Sequence, residues 1–171
     1  MNARTLFRLG AVACMAAGSL RIASSFIAYS DPPTVAQEFF YLVIDLCILY
    51  GVLAVYFFQR VEVGALGFAG FLLALTGVAI IVGPDGSIGD VGMYQVGSAS
   101  LLLGLTLISV AGWRAARLPR YALVSWMLST LLAVLGLLPG APAVVLLVTG
   151  VAFGIGFVGA GARIWSRSSE S

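Results

Sequence analysis

Histidine and lysine are both missing from this chain, and all nine of its basic residues are arginine. Without lysine no Schiff base to retinal or pyridoxal can form. Without histidine, imidazole-ligated haem, facial-triad iron, most catalytic zinc sites and Ser-His-Asp hydrolysis lose their central residue. The two cysteines, Cys14 and Cys47, cannot build a metal site by themselves. Both fall in apolar segments, at depths that differ by about 7 Å on a helical rise of about 1.5 Å per residue, so no disulfide is expected. Charge is scarce too: 9% of residues are charged, against about 25% in a soluble domain. A net charge of +2 gives no basic surface for nucleic acid.

What fills the space is hydrocarbon. Hydrophobic residues make up 61% of the 171, and mean hydropathy is +1.08. The pattern predicts an all-α polytopic transmembrane bundle, a single domain over 1–171 with six spans and short loops. The spans read approximately as 6–29, 36–58, 62–83, 92–113, 119–138 and 142–164, each near the ~20 residues that cross a bilayer. Pro32, Pro33, Pro84, Pro119, Pro139 and Pro142 all fall between spans or at their ends, where a residue without an N–H does least harm. Arg4 and Arg8 before the apolar run Leu9–Leu20 resemble a signal peptide. The apolar character resumes after Arg21, however, and the full length favours a retained first helix.

Arginine placement predicts the orientation. With the N-terminus inside, Arg4, Arg8, Arg60, Arg114, Arg117, Arg120, Arg163 and Arg167 collect on the cytoplasmic side, while the other side carries Asp31, Asp85 and Asp90. That asymmetry and the even number of spans put both termini in the cytoplasm. Phe7, Tyr56, Phe57, Phe58, Trp113, Tyr121 and Trp165 form the expected inner aromatic belt, with Tyr29, Phe39, Phe40, Tyr41 and Tyr94 forming the outer one. Trp126, at mid-span, fits a core position better. An Arg-only composition rich in Ala, Gly, Leu and Val points to a bacterial cell and its inner membrane.

Glycine marks candidate packing faces. Gly64, Gly67 and Gly70 recur every three residues, and Gly150 and Gly154 form a GxxxG. Small residues let helix backbones approach in lipid, either within one bundle or against a second copy or partner subunit. The loop at 83–90 has an Asp-Gly-Ser-Ile stretch that touches on a calcium-loop pattern. It lacks the alternating carboxylates and the terminal Glu, and reads as a solvated turn.

Ionisable residues inside spans are the sharpest signal, because each costs about 2.5–3.5 kcal/mol by insertion scales. Arg21 and Asp45 each lie nine residues from the first outer loop, taken as 30–35, and are expected level with one another. Glu38, Tyr41 and Asp45 share a helix face by i, i+3, i+7 spacing; Arg21, Ser24, Ser25 and Ala28 supply the facing polar side. The candidate intramembrane polar site is therefore Arg21, Glu38, Tyr41 and Asp45, serving either as a buried pair that sets helix register or as an outward-facing pocket for a solute, lipid headgroup or proton. Gln95, Ser98, Ser100, Ser125, Ser129 and Thr130 are possible extensions of it. No catalytic residue, metal site or cofactor is expected. The leading expectation is a non-catalytic accessory or partner-binding membrane subunit, and the second a small transporter or channel built on the Arg/Asp/Glu site.

Overall fold

The computed structural model describes residues 3–28, 30, 32–83, 86–88 and 91–170, with main chain only at Ala3, Ile88, Ser169 and Glu170. It is a helical bundle of α1 (Ala3–Ser24), α2 (Val35–Gln59), α3 (Gly64–Val82), α4 (Met93–Ala115), α5 (Arg120–Gly136) and α6 (Ala143–Glu170). Ser87–Ile88 and Val91–Gly92 pair as a two-residue antiparallel ladder in the α3–α4 connection. Tyr29, Asp31, Pro84, Asp85 and Asp90, all assigned from the sequence to the outer side, lie outside the described residues.

Five of the six helices are long and apolar enough to cross a membrane, which makes this a multi-pass membrane protein. The exception is α5, with 17 residues, or about 25 Å at the helical rise, against a hydrocarbon core of about 30 Å. The sequence expectation of a span over 119–138 is too long here. Leu137 and Leu138 tighten into turns on Val134 and Leu135 ahead of Pro139. The first span also ends early, at Ser24 rather than near 29. The Ser24 and Ser25 hydroxyls both donate to the Arg21 carbonyl, at 2.8 and 3.0 Å, and compete with the main chain for the helix's last acceptors. At the other extreme α6 runs through Glu170, well past the apolar stretch that ends near 164.

Each helix packs on its neighbours in sequence, and α6 closes back on α1. The two tightest pairs, α3–α4 and α1–α6, are also the richest in glycine contacts. A Cβ on Gly70 would lie 2.8 Å from the Gly104 carbonyl oxygen, and one on Gly154 2.5 Å from that of Gly18. Backbones at this separation gain dispersion contacts along their whole length, the main cohesive term where the solvent is itself hydrocarbon. In the centre, Trp126 is fully buried, edge-on to Phe157 at 5.2 Å between ring centroids, as its mid-span position suggested.

The chain returns to where it began. The Arg4 guanidinium donates to the Ser168 carbonyl at 2.8 Å, and that of Arg163 to the Arg117 carbonyl at 3.2 Å. Phe7 meets Phe58 edge-on. The starts of α1 and α5, the ends of α2 and α6, and the α4–α5 connection therefore share one end of the bundle. Rings at this terminal end carry arginines on their faces, Arg8 over Trp165, Arg60 over Phe57, Arg117 over Phe58 and Arg120 over Trp113. Such cation–π contacts hold charged heads beside an apolar wall.

Candidate functional site

The α1–α2 hairpin positions the intramembrane charges. Thr34 caps α2: its hydroxyl accepts from the Gln37 N–H at 3.3 Å, while the Gln37 side chain accepts from the Thr34 N–H at 3.1 Å. This is a capping box, with Gln in place of Glu. The same Gln37 amide donates to the Ala28 carbonyl at 3.1 Å and meets the Ser30 hydroxyl, so one side chain ties the end of α1 to the start of α2.

Further in, a Cβ on Gly10 would meet Ala54, and the Cys14 thiol donates to the Gly51 carbonyl at 3.4 Å. Carried on by about two turns, that antiparallel register sets Arg21 level with Asp45 to within about one or two residues. Even so, neither Asp45 nor Glu38 brings a carboxylate oxygen within 4.0 Å of the Arg21 guanidinium. Arg21 instead leans toward α6, with its Nε 3.8 Å from where a Cβ on Gly150 would stand. Arg21, Tyr41 and Asp45 are half-buried, and Glu38 is exposed. Glu38 lies in the first turn of α2, where the helix dipole favours an acid whether or not an arginine is near. Tyr41 packs edge-on to Phe40.

Two of the suggested extensions, Ser129 and Thr130, bond elsewhere. The Thr106 and Thr130 hydroxyls stand 2.8 Å apart, each 3.0 Å from the Leu102 carbonyl. Ser129 donates to the Thr149 carbonyl at 3.0 Å. These bonds join α4, α5 and α6, the usual work of hydroxyls between helices in lipid. The glycine faces are largely used within the chain: Gly70 packs on α4, while Gly150 and Gly154 pack on α1. Gly67 meets its own Val63, and Gly64, at φ +57°, has open space around it. Cys14 and Cys47 are free thiols.

Two features escaped the sequence reading. Gln59 is fully buried at the end of α2, and among the described residues neither its amide oxygen nor its nitrogen has a hydrogen-bond partner. In sequence it is the polar residue beside Arg60, indistinguishable from an ordinary interfacial one. The second is a cavity of about 800 Å³ at the terminal end, lined by Arg4, Arg117, Arg163 and Arg167 together with Phe7 and Phe58. Each of these arginines is visible in the sequence as a marker of topology, but their convergence is not. The chain matches no family model, no curated protein and no solved structure.

Proposed function

We propose that this multi-pass protein is a non-catalytic membrane subunit, an accessory or partner-binding component of a bacterial inner membrane, with both termini in the cytoplasm. The observation that carries this reading is the backbone-to-backbone seating of α1 on α6 and of α3 on α4 through glycines. Carriers that alternate between two openings rock one group of helices against another and often break helices at a midplane site. Here the glycine contacts interlock the helices, and the prolines fall between or at the ends of the helices. If a second copy or partner subunit engages a glycine face, Gly64 is the position it reaches without displacing one of this chain's own helices.

A second reading, a transporter or channel for a small solute, ion or proton, is favoured by one observation: the α1–α2 register brings Arg21 and Asp45 to similar depth without a direct ion pair. A solute that bridged two such charges would satisfy both in the membrane. Purification of the whole protein in mild detergent separates the two. A stoichiometric co-purifying subunit supports the accessory reading. A bound solute lost on Arg21→Ala, with no partner present, supports the transporter and overturns the first proposal.

A further inference from the structure

The terminal-end cavity joins three segments distant in sequence. Arg4 comes from the start of α1, Arg117 from the α4–α5 connection, and Arg163 and Arg167 from the last turns of α6. A basic end is expected of any multi-pass protein; four of its arginines gathered round one cavity is not. Among the described residues Glu62 pairs with Arg117. The guanidinium of Arg163 is fixed in direction by its bond to the Arg117 carbonyl, and that bond takes one of five N–H groups. The volume of about 800 Å³ falls within the range of about 300–1,000 Å³ typical of small-ligand sites. Planar forks converging on one space suit an oxyanion with several acceptor oxygens, and phosphate above all.

Beside it runs an apolar groove of about 740 Å³ between α1 and α2, lined by Leu6, Ala13, Tyr50, Leu53 and Phe57, with Arg60 at its end. Phe7 lines both spaces. From Tyr50 to Arg60 the groove is about 15 Å long, the depth of one leaflet of a ~30 Å hydrocarbon core. A cationic cavity at the head of an apolar slot one leaflet deep has the polarity of a phospholipid. We propose that the protein binds one anionic phospholipid here, its phosphate among Arg117, Arg163 and Arg167 and an acyl chain along the α1–α2 groove. This is independent of the accessory reading, because a lipid held at the terminal end serves a partner-binding subunit and a carrier equally.

The test uses the full chain in dodecyl maltoside, with phosphatidic acid, phosphatidylcholine and glycerol phosphate as probes. Native mass spectrometry and thermal unfolding are the readouts. Phosphatidic acid is expected to bind saturably and raise the unfolding temperature, and phosphatidylcholine, whose headgroup is neutral overall, to do neither. Arg163→Gln/Arg167→Gln is expected to weaken phosphatidic acid binding about tenfold or more. If that variant folds poorly, Arg163→Lys/Arg167→Lys keeps the charge, removes the fork geometry and is expected to weaken binding in the same direction. Ala13→Phe, which fills the groove, should weaken phosphatidic acid binding and leave the cavity arginines untouched. Equal binding of phosphatidic acid and phosphatidylcholine, or undiminished binding by both double variants, would overturn the proposal. Glycerol phosphate binding as tightly as phosphatidic acid would overturn the lipid as the source, leaving a site for a free phosphate compound.

Discussion

Gly18 on α1 and Gly154 on α6 sit backbone to backbone: a Cβ on Gly18 would fall 2.4 Å from the Gly154 carbonyl oxygen, and one on Gly154 2.5 Å from that of Gly18. Neither obstacle is a flexible side-chain tip, so the helices themselves must separate to admit a methyl group. Gly18→Val or Gly154→Val is expected to destabilise the bundle by at least about 1–3 kcal/mol, the usual cost of overpacking. Gly92→Ala, with open space at that position and an ordinary extended φ of −68°, is the neutral control. Unfolding in detergent, followed by circular dichroism, measures all three. Equal stability of Gly18→Val and the parent would mean that α1 and α6 do not meet as described.

The level placement of Arg21 and Asp45 predicts coupling between them. Arg21→Leu and Asp45→Leu should each lower stability, and the double variant should lose less than the two losses added, by about 1–3 kcal/mol. Strict additivity in the four-variant cycle would show that the charges do not sense one another. A stable double variant that fails to support the protein's role in cells would shift the site from register device to binding site.

Gln59 offers a substitution that should improve the protein. Its amide is removed from solvent with both polar atoms unpartnered among the described residues, an arrangement that costs about 1–3 kcal/mol. Gln59→Leu, close in size and apolar, is expected to raise stability by roughly 1 kcal/mol, and Gln59→Glu to lower it. A large loss in Gln59→Leu would mean that the amide has a partner when the protein sits in its membrane.

Ala116 ends α4 in the left-handed region, at φ 50° and ψ 21°, its N–H bonded to the Gly112 carbonyl. Glycine adopts this conformation without the Cβ clash. Ala116→Gly should therefore stabilise the chain by up to about 1 kcal/mol in the same unfolding assay, whereas Ala116→Val should destabilise it.

Orientation can be read by labelling once Cys14 and Cys47 are replaced. With both termini cytoplasmic, a cysteine at Ser87 reacts with a membrane-impermeant thiol reagent added outside intact cells, and one at Ser166 reacts only after lysis. External labelling at Ser166 would reverse the proposed orientation.

Much of the fold was legible in the sequence because lipid leaves the backbone few choices: an apolar run must satisfy its own hydrogen bonds, and a helix does so locally. Hence the runs around Val35–Gln59 and Met93–Ala115 could be bounded to within about two residues. Where boundaries failed, a local competitor intervened, the Ser24 and Ser25 hydroxyls at the end of α1 and the tight turns at Leu137 and Leu138 after α5. The depth of Arg21 against Asp45 was also legible, since helical rise converts residue number into depth.

Rotation about the helix axis was not, and it depends on every neighbour at once. Tertiary packing alone turned Arg21 toward Gly150 on α6 and left its guanidinium more than 4.0 Å from the Asp45 carboxylate. It set Gly70 against α4 and Gly150 and Gly154 against α1. It also drew Arg4, Arg117, Arg163 and Arg167 around one cavity. Depth is a one-dimensional property carried by the order of residues, whereas facing is a relation between helices, decided only when all six are packed together.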